Sequence, residues 1–167
     1  MQIILWRHAP ALARDPELWP DDSERPLSDR GQRRASRVST GLARLVQDVD
    51  AIWSSPAARA FQTADILRHV HPRRPPLQTL AELSPGAPLG RLVETLDAAR
   101  GYGAIILVGH EPTLGRLAAV LLGGPRSRLV LPLKKAGAVC LRMAPEATAG
   151  RAELEWWLPP SVLRRIS

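Results

Sequence analysis

Residues 104–124 read AIILVGHEPTLGRLAAVLLGG. The run AIILVG has the length and the β-branched content of a strand buried on both faces. HEPTLGRLAAVLLGG is the helix it feeds, closed by two glycines. A buried strand passing directly into a helix is the repeating unit of an α/β sheet, and the same alternation recurs on either side. QIILW (2–6) reads as a buried strand, followed by a polar, proline-rich loop through Pro26. In LSDRGQRRASRVSTGLARLVQ, Ser28 fits an N-cap, and Ala35, Val38, Leu42 and Leu45 repeat at amphipathic spacing. AIWSS (51–55) is a second short strand, and SPAARAFQTADILRHV opens a helix on Ser-Pro that runs to about Val70.

After HPRRPP, LQTLAEL (77–83) is expected to be a third strand and PLGRLVETLDAAR another amphipathic helix. AGAVCLRM and AELEWWL form two further strands, a hairpin joined through APEATAGR (144–151). The expectation is a single α/β domain over residues 1–167. It has three layers: a mostly parallel central sheet, helices on both faces, and no large lid insertion.

At 45% apolar residues, the 167-residue chain has material for a core, and no segment approaches a membrane span. The N-terminal apolar run is too short for a signal peptide, so a cytoplasmic location is expected. Cys140, the lone cysteine, excludes an internal disulfide and reads as a small buried hydrophobe. The net charge of +7 comes almost wholly from arginine and favours anionic partners. No helix-turn-helix, zinc-finger or aromatic RNA-binding pattern points to nucleic acid.

In parallel sheets, ligands bind beyond the carboxyl ends of the strands. Arg7 and His8 follow the first strand, Arg59 lies one turn into the helix after the second, Glu82 ends the third, and His110 follows AIILVG. Two arginines offer bidentate contacts to a dianionic phosphoryl group. A neutral histidine can attack phosphorus, and neighbouring arginines disfavour its protonation. A second histidine can donate to the developing charge, and a carboxylic acid can protonate a leaving group. The same histidines and Glu82 are also possible metal ligands, which adjacent arginine cations oppose. His69 and His71 flank a helix end in a Pro/Arg-rich loop and read as structural.

LWRHAPA resembles the Arg-His-Gly-type motif of the histidine phosphatase superfamily. SSPAARAFQTA resembles its Ser-Pro-x-x-Arg-Ala-x-Gln-Thr-Ala motif, and LVGHEP its second-histidine motif. ERPLSDRG resembles a stretch of the SixA-type phosphohistidine phosphatases, a small branch of that superfamily, and the resemblance spans roughly residues 1 to 125. It implies a phosphoglycerate mutase-like fold and His8 as a transiently phosphorylated nucleophile. Arg7, Arg59 and His110 would complete the phosphate pocket, with Glu82 in the position of the acid and no metal or organic cofactor. Ala9 departs from the usual glycine. The short LSPGAPLG connection predicts an open pocket suited to a side chain of another protein. The expected substrate is protein phosphohistidine. The rivals are a broad small-molecule phosphomonoesterase on the same site and a non-enzymatic adaptor for phosphorylated ligands.

Overall fold

The computed structural model describes residues 1–144 and 149–166. Six strands form one sheet: β1 (Gln2–Arg7), β2 (Ala51–Ser54), β3 (Leu77–Thr79), β4 (Ala104–Gly109), β5 (Ala138–Arg142) and β6 (Glu153–Leu158). Between and beyond them lie α1 (Asp29–Leu45), α2 (Ala58–Val70), α3 (Leu89–Ala98), α4 (Thr113–Gly123) and the four-residue α5 (Pro160–Leu163). The strand order is β3-β2-β4-β1-β5-β6. β3, β2, β4 and β1 are mutually parallel, and β5 and β6 run antiparallel. This is the α/β class that the alternation predicts.

The continuous apolar runs of β1 and β4 follow from their central place, since both faces of each are covered. On one face Ile4, Trp6, Ile52, Ile106 and Val108 pack with Ala35, Val38 and Leu42 of α1 and Ala60, Ala64 and Leu67 of α2. On the other, Ile3, Leu5, Trp53, Ile105 and Leu107 pack with Leu92 and Leu96 of α3 and Leu114, Leu117 and Leu121 of α4. Single-residue alternation of the strand side chains thus divides one apolar run between two cores.

Ser28 caps α1 as expected, its hydroxyl accepting from Gly31 N at 3.1 Å. Three local readings need correction. LQTLAEL is strand only over Leu77–Thr79, because Ala81–Leu83 tightens into a 3-10 turn that buries Leu83 and leaves its neighbours more exposed. The helix expected to open at Ser-Pro begins later, at Ala58, since Pro56 and Ala57 form the bend out of β2. The loop before α1 contains a 3-10 turn at Asp22–Glu24, capped by the Asp21 carboxylate on Ser23 N. β5 and β6 pair as a hairpin, and residues 145–148 of the expected turn lie outside the described residues.

Cys140 is buried as expected, with its thiol directed at Glu155. His71 is buried and structural: its Nδ1 accepts from Arg73 N, so its Nε2 donates to Val46 O at 3.0 Å. Among the described residues no helix is long and apolar enough to cross a membrane.

Chain direction makes the β1–β4 pair special. β1 leads through α1 to β2 on one side of the pair, whereas β4 leads through α4 to β5 on the other. The two connections diverge and open a crevice above the carboxyl ends of β1 and β4. Its rim is held closely: a Cβ at Gly31 of α1 would lie 1.8 Å from the carbonyl oxygen of Pro10, three residues past the end of β1. Gly31→Ala is therefore expected to lower stability by about 1–3 kcal/mol, the usual cost of overpacking, read as a reduced urea midpoint.

Candidate active site

Arg7 pairs with Gly109 at the end of the β1–β4 ladder, and His8 N donates to Gly109 O at 3.0 Å. The next residue on each strand is a histidine. His8 and His110 consequently face one another, ring centroids 5.0 Å apart. Both are almost fully buried, at 6% and 4% exposure.

The His8 ring is fixed by its own backbone. Nδ1 lies 2.7 Å from the Ala9 carbonyl oxygen, an acceptor only, so Nδ1 carries the proton and Nε2 keeps its lone pair. Burial pushes the His8 pKa down to about 3; His110, Arg59 and Arg7 push the same way, against the Ala9 hydrogen bond. Burial, then Arg59 and Arg7, bring His110 to about 4. Both rings are neutral at pH 7. His110 Nε2 meets Ser55 Oγ at 2.9 Å, and Ser55 Oγ also accepts from Ala57 N.

Arg7 reaches from the strand end, its Nη1 donating to Leu133 O at 2.7 Å. Its Nε is buried with no protein partner, a donor left for an acceptor in the crevice. Arg59, in the first turn of α2 and 4% exposed, donates from Nη1 to Asp22 O at 2.7 Å and pairs with the Asp22 carboxylate at 3.1 Å. Two further side chains of α2 set the crevice walls. Thr63 Oγ1 accepts from Ala9 N, and Gln62 Oε1 accepts from Leu27 N. The helix that brings Arg59 thus also holds the loops after β1 and before α1.

The structure brings Arg7, His8, Arg59 and His110 together. Glu82 is half-buried in its 3-10 turn, and no hydrogen bond or ion pair of its carboxylate is found among the described residues. Two other carboxylates do act on the site: Asp22, whose charge is felt by His110 and Arg59, and Glu111, whose charge is felt by Arg7 and whose Oε1 accepts from Leu133 N at 2.9 Å. The Arg25 hydrogen bond holds Asp22 below the usual carboxylate range, with Arg59, Arg25 and Arg14 adding their charges. Sequence reasoning did not single out Asp22 and Arg25, although ERPLSDRG contains Arg25. It also passed over Ser55, Gln62 and Thr63, although SSPAARAFQTA contains all three. Lys135 was missed with less reason to notice it. The turn that carries it is pinned beneath the site, where Ala136 N donates to the carbonyls of Arg7 and His8. Ala136 takes a left-handed φ of 64° to do so. Burial and the charges of Arg7, Arg25 and Arg59 lower the Lys135 pKa. Among the described residues no three His, Cys, Asp or Glu side chains form a metal-binding group.

A family model of the histidine phosphatase superfamily (branch 1) matches residues 3–91, the segment that supplies Arg7, His8 and Arg59. The chain belongs to the histidine phosphatase superfamily. An uncharacterised protein of Picosynechococcus is 34% identical over 144 residues, 85% of each chain. Among solved structures, the protein histidine phosphatase SixA complexed with tungstate superposes at TM-score 0.84, covering 98% of this chain and 99% of that one at 23% identity. The α-ribazole phosphatase of Shigella flexneri superposes at 0.69, covering 96% and 97% at 18% identity. This phosphatase family member therefore shares one fold with enzymes named for a protein and for a small-molecule substrate.

Two measurements check this electrostatic picture. The ring resonances of His8 and His110 are expected not to titrate between pH 8 and pH 5, and His8 to show the Nδ1–H tautomer by nitrogen shifts. A histidine that resists protonation when folded binds fewer protons than its unfolded form. Stability should accordingly fall as pH drops from about 6.5 toward the folded values of about 4 and 3. Asp22→Asn keeps the backbone bond to Arg59 and removes a competing anion. It should tighten tungstate binding by up to about fivefold, the factor equivalent to the ~1 kcal/mol ceiling of a partly exposed pair; calorimetric titration would show weaker binding instead if the carboxylate mainly steadies Arg59.

Proposed function

We propose that this superfamily member hydrolyses phosphohistidine on a protein in the cytoplasm, through a phosphorylated His8. One observation carries the reading: a neutral nucleophile is fully prepared, while among the described residues none of the nearby carboxyl groups of Asp22, Glu82 and Glu111 hydrogen-bonds to either histidine. His8 Nε2 is unprotonated and directionally fixed. Asp22 is held as the carboxylate, Glu111 accepts from Leu133 N, and Glu82 forms no hydrogen bond or ion pair among the described residues.

In the first step His8 Nε2 attacks phosphorus, forming one P–N bond as the substrate's P–N bond breaks. The leaving imidazole carries a proton on its distal nitrogen and departs neutral, so it does not depend on a protein acid. An alkoxide from a phosphate ester has no such route. Arg7, with its free Nε, and Arg59 take the equatorial oxygens. A Ser55 hydroxyl that donates to His110 Nε2 leaves the His110 proton on Nδ1, available to a phosphoryl oxygen. In the second step water attacks phosphorus, the P–N bond to His8 breaks, and inorganic phosphate leaves.

The likeness in fold to a protein histidine phosphatase supports this reading, as does the short connection of residues 84–88 between Glu82's turn and α3. The likeness to an α-ribazole phosphatase keeps a small-molecule ester as the rival substrate on the same site. A comparison of phosphohistidine protein with simple esters decides between them. Wild type should prefer phosphohistidine. His8→Ala should lose at least about a thousandfold in rate, as loss of a nucleophile does, and should form no acid-labile phosphoenzyme. Glu82→Gln should change the phosphohistidine rate by less than about threefold, because its proton is not required. Faster ester turnover together with a large Glu82→Gln loss would favour the esterase.

A further inference from the structure

We propose that the outer face of α1 is a second anion site, separate from the crevice, which takes an oligophosphate: a compact chain of linked phosphoryl groups. Arg30, Arg33, Arg34 and Arg37 follow the helical i, i+3, i+4, i+7 pattern and, with Arg164, line a cavity of about 200 Å³. Four cations stacked on one stripe repel each other. Three of them also sit in the N-terminal half of the helix, where the macrodipole opposes positive charge.

Among the described residues no acidic side chain offsets the four α1 charges. Among the described residues none of the four α1 arginines forms an ion pair, and Asp29, the only acid of the helix, pairs with none of them. Asp65, across the groove beside Arg33 and Arg37, is engaged with Arg68 and His69. Burial together with the charges of Arg30 and Arg164 lowers the Arg34 pKa.

The cavity is built by packing. Gly41 lets the Leu163 carbonyl approach α1, where a Cβ would lie 2.1 Å from its oxygen. Arg44 Nη1 holds the Ile166 carbonyl at 2.7 Å, and Arg164 Nε donates to Pro160 O at 3.0 Å. The C-terminal turn and Arg164 are thereby fixed against the helix stripe.

The shape selects the occupant. Arg30 and Arg37 are about 10 Å apart along the helix axis, more than one phosphate can bridge. Arg34 and Arg164 are half-buried, so a flat acidic protein face would reach Arg33 and Arg37 and miss them. The five residues include no aromatic side chain on which a nucleic-acid base could stack.

Calorimetric titration with inorganic tripolyphosphate at physiological salt tests the site. Arg59→Gln, which damages the catalytic crevice, should bind one tripolyphosphate per chain within threefold of the wild-type affinity. The double variant Arg30→Gln/Arg34→Gln should bind it at least tenfold more weakly, while hydrolysing phosphorylated substrate within twofold of wild type. Orthophosphate at matched ionic strength should bind at least tenfold more weakly than tripolyphosphate. If the double variant does not fold, Arg37→Gln alone should weaken binding at least threefold. Unchanged affinity in the folded arginine variants overturns the proposal, as does loss of the binding in Arg59→Gln. Tighter binding of a glutamate-rich peptide or a single-stranded oligonucleotide than of tripolyphosphate overturns it as well, and would mark a macromolecular docking face.

Discussion

The pairing of β1 with β4 is the constraint from which the site follows. Register sets Arg7 against Gly109, and the next residue on each strand is a histidine. A slip of one residue would turn every β1 side chain to the opposite core and part the two imidazoles. The apolar runs QIILW and AIILVG prevent that slip by filling two different cores at once. Hydrophobic packing on both faces of a sheet therefore sets the distance between two polar groups at its edge.

Burial then does chemical work. The cost of charging an imidazole in this crevice keeps His8 and His110 neutral far below pH 7, with the arginines acting in the same direction. The arginines bear the converse penalty. Arg59 is answered by Asp22, whereas Arg7 keeps a buried donor unsatisfied. The crevice thus presents neutral bases and excess positive charge, the complement of a phosphoryl dianion.

The class of the fold and the gathering of Arg7, His8, Arg59 and His110 at one sheet edge were legible in the sequence because both depend on local pattern. Continuous apolar runs mark the central strands, and chemically potent residues stand where those runs stop. Glu82 was read by the same rule and does not make the contacts of the others. β3 ends at Thr79, and the 3-10 turn that follows redirects the chain before Glu82 is reached. Strand extent at a sheet edge depends on tertiary packing, which alternation does not encode. Asp22 and Lys135 were illegible for a related reason. Asp22 is joined to the site through Arg59, 37 positions away, and the turn of Lys135 through Ala136 N, which donates to the distant carbonyls of Arg7 and His8. Gln62 and Thr63 were visible within a motif, yet only the structure gives their purpose, which is to hold two loops.

Ala136 carries a consequence for how such a chain can diversify. Its amide is shared between the carbonyls of Arg7 and His8, and Gly137 O accepts from Arg7 N. The chain that arrives from α4 is therefore fastened to the nucleophile's own backbone at Ala136 and Gly137 and to the Arg7 side chain at Leu133, and residues 125–130 lie upstream of those fastenings. Leu129 and Val130 stand exposed on this segment. Its length and composition can drift without moving His8, so a lineage can remodel this exposed surface while the reacting atoms stay in register.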